Sequence, residues 1–172
     1  MLDVIKNRRS YRDFLDKEVE DEKLAEILKA AQFAPTARNL RLWEFIVVKN
    51  KKTRDLLAQT KTHSQFTNKA PVILVIVSKD DGQTNYWMED GSIAAGFIYL
   101  EAENQGLGTC FVQVYKSLRP DGFECEKYVK KILKIPKNIH VLCLMPIGYP
   151  RQKIPGLDQS VFETKKVHNE NY

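Results

Sequence analysis

The spacing of hydrophobic residues changes several times along this 172-residue chain, and each spacing predicts an element of secondary structure. Apolar positions three and four residues apart predict an amphipathic helix over 19–31, with acidic residues in its first turn. The segment 35–43 has neither a helical nor a strand period, so we interpret it as a structured loop. β-branched and aromatic residues predict a strand over 44–48, and a short helix is expected around 54–60.

The second half contains a continuous apolar run over 72–77, which predicts a strand buried on both faces and ended by Asp80-Asp81-Gly82. The long segment 87–105 is apolar on most sides, as in helices buried in a core or a subunit interface. The remaining predicted elements are a strand, a helix, a strand and a polar tail, at 109–115, 121–133, 141–147 and 151–172. The sequence shows no repeat or linker, so we predict one domain over residues 1–172.

Composition narrows the class of protein. Hydrophobic residues make up 43% of the chain and charged residues 28%, which is typical of a globular domain. The net charge of +5 is compatible with an anionic ligand but too small and too dispersed to indicate nucleic acid. No apolar run approaches the roughly 20 residues that span a bilayer, and no signal peptide is recognised, so we expect a cytoplasmic protein without membrane contact.

The cysteines and histidines do not form a metal motif. The three cysteines, Cys110, Cys125 and Cys143, are widely spaced and form no paired motif. Cys110 and Cys143 lie in apolar runs, which favours buried free thiols. The histidines are isolated, and none pairs with a cysteine at ligand spacing: His63, His140 and His168. We therefore expect no metal site. A nucleophilic role for Cys110 is disfavoured, because no histidine is placed to activate it.

The densest candidate chemistry is the segment Arg8-Arg9-Ser10-Tyr11-Arg12. Three guanidinium groups and a hydroxyl within five positions suit bidentate contacts to a phosphate or carboxylate. These residues alone leave open a solvated charge cluster or a nucleic-acid-binding arm. A separate alternative for Arg12 is a surface ion pair with Asp13 or Asp16.

Four segments, in order and over essentially the whole chain, resemble the FMN-dependent nitroreductase family. They are the arginine segment 8–12, the loop 34–45, the helix and turn over 90–110, and the closing segment 146–153, with the sequence Pro-Ile-Gly-Tyr-Pro-Arg-Gln-Lys. The resemblance implies an α+β, three-layer α/β/α fold. Its central sheet would be mixed, mainly antiparallel, with four strands and a fifth from the partner's carboxy-terminal tail, so that 151–172 wraps a homodimer.

The resemblance also implies a set of cofactor-binding residues, with no side chain obligatory as catalytic acid or base. Arg8, Ser10, Arg151 and Lys153 would hold the phosphate of FMN, while Arg12 would face the pyrimidine edge of the flavin as a tuning cation. The loop at 35–39 would complete the site of the other subunit. The full implied set is Arg8, Arg9, Ser10, Arg12, Pro35, Thr36, Ala37, Asn39, Val112, Gln113, Gly148, Arg151 and Lys153.

The implied activity is an oxidoreductase that takes hydride from NADH or NADPH through FMN to a nitroaromatic, a quinone or a similar small acceptor. Three residues depart from the family pattern: Arg41 replaces Gln, Leu42 replaces Pro and Gln113 replaces Gly. These departures keep open an alternative, a non-enzymatic flavin-binding or basic interaction protein with a repurposed pocket. Relatives that fragment flavin or dehalogenate tyrosines are a weaker alternative, because their extra pocket-covering segments are not evident.

Overall fold

The computed structural model describes residues 2–79, 82 and 85–172. Its helices are α1 (Leu2–Asn7), α2 (Asp21–Gln32), α3 (Lys51–Ala58), α4 (Trp87–Asn104) and α5 (Cys125–Leu133). Its strands are β1 (Trp43–Val48), β2 (Val72–Lys79), β3 (Gly108–Thr109), β4 (Val112–Gln113) and β5 (Ile139–Gly148). Short 3-10 turns lie at Ala37–Asn39, Thr62–Lys69, Gln159–Val161 and Thr164–Lys166. The break predicted at Asp80-Asp81 lies outside the described residues.

One sheet runs through the molecule in the order β1-β2-β5-β3, and β4 also pairs with β5. All four strand pairings are antiparallel. The one parallel contact of the described chain is an isolated bridge between Ser10 and Thr109. The predicted α+β class and mainly antiparallel sheet are therefore confirmed, and β1 forms an open edge within the protomer.

The apolar run of β2 is buried because helices cover both faces of the sheet. Val72, Leu74 and Ile76 pack in one core with residues of α2 and α4, including Ile27 and Ile98. The alternate residues of β2 lie in a second core, which holds side chains of α3 and α5: Ile73, Val75, Val77, Leu57 and Val129. Side chains of a strand alternate between faces, so a continuous apolar run is what a covered central strand requires.

Helix α4 buries only one of its apolar faces inside the protomer. Ala94, Ile98 and Ala102 are fully buried against the sheet, whereas Ile93 on the outer face keeps 40% of its surface exposed. The prediction of a helix that is apolar on most sides is confirmed in its composition. Its outer side is left without a cover in the single chain.

Two predicted elements have different limits in the structure. Helix α3 begins at Lys51 rather than near residue 54, because the side chain of Asn50 accepts a hydrogen bond from the backbone N–H of Thr53 and caps the helix. The single strand predicted over 109–115 is divided into β3 and β4. The reason is that the backbone N–H of Phe111 donates to the hydroxyl of Tyr99, at 2.6 Å, instead of to a neighbouring strand.

The tail at 151–172 contains no strand in the protomer. Residues 155–157 lie against the end of α1, where the N–H of Leu157 donates to the carbonyl of Lys6 at 2.8 Å. None of the described helices is long and apolar enough to cross a bilayer.

Candidate functional site

The arginine segment is held against the end of the sheet by its backbone and by Tyr11. The N–H of Tyr11 donates to the carbonyl of Thr109 at 3.0 Å, and the ring is buried. Gly108 lets this ring approach, since a Cβ there would lie 2.6 Å from Tyr11 Cδ2. Ser10 and Arg12 flank the buried Tyr11 along the chain. Ser10 is half-buried and Arg12 is exposed, so a ligand can reach both side chains.

Ser10 belongs to a small cluster of polar groups built around Tyr99 of α4. Its Oγ lies 3.1 Å from the Tyr99 hydroxyl, which also accepts a hydrogen bond from the N–H of Phe111. The guanidinium of Arg8 lies over the ring of Tyr99, 5.1 Å from its centroid. Desolvation by burial raises the pKa of Tyr99, so its hydroxyl stays protonated at neutral pH. The cluster therefore brings the Arg8 cation together with the hydroxyl groups of Ser10 and Tyr99.

Cys110 lies beside this cluster but is not an activated nucleophile. Its side chain is buried, and desolvation raises its pKa despite the nearby cation of Arg12. A neutral thiol is a poor nucleophile, which agrees with the sequence-based interpretation. Cys110 and Cys143 are buried and free, as predicted, and Cys125 is buried and free as well.

Arg12 does not pair with either of the acidic residues that follow it. The guanidinium lies 3.5 Å from the carbonyl of Ser10 and over the ring of Phe66. Asp13 instead pairs with Lys69 at 3.2 Å and with Arg151 at 3.3 Å. The hydrogen bond from Lys69 is the first cause of a lowered pKa at Asp13. Among the described residues, no carboxylate lies at ion-pair distance from Arg8 or Arg12, so both cations are available to an anionic ligand.

Several other residues of the predicted set hold the carboxy-terminal segment in place. Arg9 donates to the carbonyl of Pro155 at 2.9 Å, and Arg151 donates to the carbonyl of Phe14 at 3.0 Å. Gly148 pairs with Gly108. Lys153 is exposed. The side chains of Arg9 and Arg151 are therefore engaged by backbone carbonyls, and that of Arg151 also by Asp13.

The predicted residues of the short strand β4 follow the cluster directly along the chain. Val112 is buried and pairs with Leu144 of β5. Gln113 is exposed, and its side-chain nitrogen donates to the carbonyl of Tyr115 at 3.0 Å. The carbonyl of Gln113 accepts a hydrogen bond from Lys61. The bond to the Tyr115 carbonyl therefore directs the Gln113 side chain along its own segment of the chain.

The loop predicted to contact a flavin lies elsewhere in the same protomer. The N–H of Ala37 donates to the buried carboxylate of Asp90, at 2.9 Å, in the first turn of α4. Asp90 precedes Tyr99 by nine residues, which is about 13 Å along the helix. Arg38 and Asn39 both have φ near +55°, which non-glycine residues rarely adopt. Pro35, Thr36, Ala37 and Asn39 thus form a strained loop that one protomer does not bring to Arg8 or Ser10.

Sequence reasoning missed Tyr99 and the backbone of Phe111. Tyr99 falls within the apolar helix and gives no periodic signal that separates it from core residues. One sign was available, because a tyrosine in a buried segment needs a hydrogen-bond partner for its hydroxyl. The Phe111 amide has no side-chain signal at all.

Two other features of the described residues carry no assignment. A groove of about 1060 Å³ lies between the segment 13–21 and the start of α3, but its charges are compensated in pairs such as Lys69–Asp13 and Lys49–Asp21. No group of three or more histidine, cysteine, aspartate or glutamate side chains among the described residues could hold a metal ion.

Known proteins are similar to this chain in fold and in sequence over nearly its whole length. The model of the nitroreductase family matches residues 5–62 and 57–149. An FMN-dependent nitroreductase structure from Clostridium difficile R20291 has 41% identity and a TM-score of 0.95, with 100% of both chains covered. A Methanothermobacter thermautotrophicus protein named "Putative NADH dehydrogenase/NAD(P)H nitroreductase" is 31% identical over 175 residues, 100% of this chain and 87% of that protein. An iodotyrosine deiodinase of Thermotoga neapolitana is 23% identical, over 90% of this chain and 91% of that protein. The match of the family model together with the identity over the full chain establishes that the protein belongs to the nitroreductase family.

Proposed function

We propose that this protein is an FMN-dependent oxidoreductase, which uses NADH or NADPH to reduce a small acceptor such as a nitroaromatic or a quinone. The observation that carries the proposal is the pair Arg8 and Arg12, two cations that flank Ser10 along the chain and have no carboxylate partner among the described residues. The C. difficile relative, whose structure is described as FMN-dependent, supports the identity of the cofactor. The more distant deiodinase is a weaker guide to the acceptor.

The residues present fit the anionic end of FMN. A phosphate is held best by charge-assisted donors, and Arg8 supplies a planar fork of N–H groups next to the Ser10 hydroxyl. An uncompensated, half-buried cation is costly unless a ligand provides the opposite charge. Arg8 is half-buried, and its guanidinium lies over the ring of Tyr99 instead of pairing with a carboxylate of the described residues. We assign the phosphate to Arg8 and Ser10, with Lys153 as a further donor from the carboxy-terminal segment.

The other assigned residues orient the cofactor or hold the segments that do so. When bound, FMN supplies the redox group that accepts electrons from the nicotinamide and delivers them to the acceptor. Arg12 provides a fixed positive charge near the ring, which favours a developing negative charge. Val112 and Gln113 border the ring side of the site. Arg9, Gly148 and Arg151 act by fixing the backbone on which Arg8, Ser10 and Lys153 stand.

The site needs a second copy of the chain, which we propose to be a homodimer partner. The loop at 35–39 lies about 13 Å along α4 from Tyr99, so it completes the site only when another protomer supplies it. The outer side of α4 exposes Ile93, at 40%, and leaves Phe97 and Leu100 only partly buried in the single chain. Such a face is an aggregation liability unless a partner covers it.

The tail at 151–172 provides the second contact of this dimer. From residue 158 onward, the hydrogen bonds and ion pairs that the structure describes stay within the tail itself. Phe162 is 70% exposed and Val161 57%. A segment whose hydrogen bonds are confined to its own turns is barely stabilised by the rest of its protomer. This favours binding to a partner surface, such as the open edge of β1. We propose one domain, over residues 1–172, whose tail wraps its partner.

The experiment that tests the function compares FMN with riboflavin, which lacks the phosphate. Apo-protein should bind FMN more tightly than riboflavin, and Arg8→Ala should weaken FMN binding while leaving riboflavin binding unchanged. NADH- or NADPH-driven reduction of a nitroaromatic should require FMN. A protein that binds FMN but reduces neither nitroaromatics nor quinones would favour the non-enzymatic flavin-binding alternative. Equal affinity for both flavins would contradict the phosphate site.

A further inference from the structure

The hydroxyl of Tyr99 is the meeting point of two hydrogen bonds whose directions can be worked out. The backbone N–H of Phe111 can only donate, so the Tyr99 oxygen is the acceptor of that 2.6 Å bond. The Ser10 hydroxyl, 3.1 Å away, is the second partner and could act in either sense. The direction of this second bond decides what Ser10 can offer to a ligand.

The hydrogen-bonding needs of the part-buried Tyr99 hydroxyl decide the direction. If Ser10 donated to Tyr99, the phenol would accept twice, and among the described residues its own hydrogen would have only the Cys110 sulfur, a weak acceptor, as a partner. A part-buried donor left with only a weak acceptor costs free energy, so Tyr99 donates to Ser10. The hydrogen of Ser10 is then directed to a further acceptor. Within the protein the nearby alternative is the Cys110 thiol, whose sulfur is a weak acceptor.

We propose that Tyr99 is a positioning residue of the FMN phosphate site, which turns the Ser10 hydroxyl into a hydrogen-bond donor and supports the Arg8 guanidinium on its ring. The chain of donors runs from the Phe111 N–H through the Tyr99 hydroxyl and the Ser10 hydroxyl to the anion. Each bond in such a chain polarises the next and strengthens it. No proton is transferred and no bond is formed in this role.

This inference rests on the proposed function, because it assigns the phosphate of FMN to Ser10 and Arg8. The ring and the hydroxyl of Tyr99 have separate effects. Tyr99→Phe keeps the ring under Arg8 and removes only the hydroxyl. The Tyr99 hydroxyl acts through Ser10. Its removal should therefore cause no further loss of FMN affinity in a variant that already lacks the Ser10 hydroxyl.

The experiment measures the dissociation constants of FMN and riboflavin for apo-protein carrying Tyr99→Phe, Ser10→Ala or both changes. Each single variant should bind FMN about tenfold more weakly, the value of one hydrogen bond to a charged group. The double variant should match Ser10→Ala within about twofold, because the two residues form one chain. Riboflavin affinity should stay within about twofold of the wild type in all three. Tyr128→Phe is the matched control, since it removes a phenol hydroxyl bonded to the Leu56 carbonyl on another helix.

Three results would overturn the inference: unchanged FMN affinity in Tyr99→Phe, equal losses for FMN and riboflavin, or fully additive losses in the double variant. A wild-type protein that binds neither flavin would instead overturn the proposed function. If Tyr99→Phe does not fold, 3-fluorotyrosine at position 99 takes its place. Its ionisation at raised pH removes the hydrogen donated to Ser10, so FMN affinity should fall with that ionisation while riboflavin affinity stays constant. FMN affinity that stays constant through the ionisation would overturn the role of Tyr99.

Discussion

Gly108 lies opposite Gly148 in the antiparallel pairing of β3 with β5, and neither position has room for a side chain. A Cβ at Gly108 would lie 2.6 Å from the ring of Tyr11, and one at Gly148 would lie 2.7 Å from Pro71. The missing side chains let the amino-terminal segment lie directly on the end of the sheet. The place of Ser10 and Arg12 therefore depends on two glycines at the end of the sheet.

Gly108→Ala should destabilise the fold and weaken FMN binding together. Forcing a methyl group against the Tyr11 ring is an overpacking change, which costs about 1–3 kcal/mol. Urea unfolding and FMN titration measure the two effects. Gly91→Ala is a graded control, because its Cβ would meet only the rotatable end of Leu142, at 2.7 Å, and should cost less. Equal stability of Gly108→Ala and the wild type would contradict the packing described here.

Arg12→Ala should lower the reduction potential of bound FMN, because it removes a cation from beside the ring. Arg12 is exposed, so screening by solvent limits the effect to about 1 kcal/mol, or about 20 mV for a two-electron couple. Equilibrium redox titration of the FMN-loaded variants checks this value. Arg12→Lys should keep most of the wild-type potential. A potential that is unchanged in Arg12→Ala would remove Arg12 from its proposed role.

Lys153→Ala should weaken FMN binding without lowering the stability of the fold, since Lys153 is exposed and would lose only its contact with the phosphate. The loss expected for one exposed charge-assisted contact is about 1 kcal/mol, or about fivefold in affinity. Adding Arg151→Ala should reduce both affinity and stability, because Arg151 also bonds Asp13 and Phe14. Lys127→Ala, on the surface of α5, is the control. If Lys153→Ala binds FMN as the wild type does, the carboxy-terminal segment does not reach the phosphate.

The ion pairs of Asp13 should contribute to the acid limit of stability. Its pKa is lowered, first by the hydrogen bond from Lys69, so its folded-state pKa lies below its unfolded value near 3.9. The contribution is therefore present above about pH 4 and is lost as the pH falls through the folded-state pKa. Asp13→Asn should lower the melting temperature at neutral pH and have progressively less effect below about pH 4. A constant difference at every pH would show that the charge of Asp13 plays no part, and high salt should reduce the neutral-pH difference.

Removal of residues 160–172 should dissociate the dimer and release FMN together. The remaining chain keeps the contact of Leu157 with Lys6, so the protomer itself should stay folded. Size-exclusion chromatography with multi-angle scattering and the flavin absorbance of the same fractions provide the measurement. Phe162→Glu is a milder version that keeps the chain length and charges an exposed apolar side chain. A truncated protein that stays dimeric and yellow at micromolar concentration would rule out wrapping by the tail.

Part of this fold could be predicted because the spacing of apolar residues in the sequence matches the side chains that are buried in the structure. The continuous apolar run of β2 predicts burial on both faces, and helices cover both faces in the structure. The order of the main elements follows from such periodicities, whereas the α+β class was implied by the resemblance to the nitroreductase family. The start of α3 was also present in the sequence, as the capping residue Asn50, but residue spacing alone placed the helix three residues too late.

The break between β3 and β4 could not be predicted in this way. A strand pattern assumes that each backbone amide bonds to a neighbouring strand, whereas the Phe111 amide bonds to the phenol of Tyr99. That partner is 12 residues away on a helix, and no local pattern connects the two. The residues assigned to the site by resemblance remain predictions, of which Arg8, Ser10 and Arg12 have the surroundings that an anion site requires.

The most direct test of the account is an anaerobic titration of the FMN-loaded protein with NADH and NADPH, followed by a nitroaromatic or a quinone. The account predicts that a nicotinamide nucleotide abolishes the flavin absorbance within seconds and that the acceptor restores it. Persistence of the flavin absorbance in excess NADH and NADPH would contradict the assignment as an oxidoreductase.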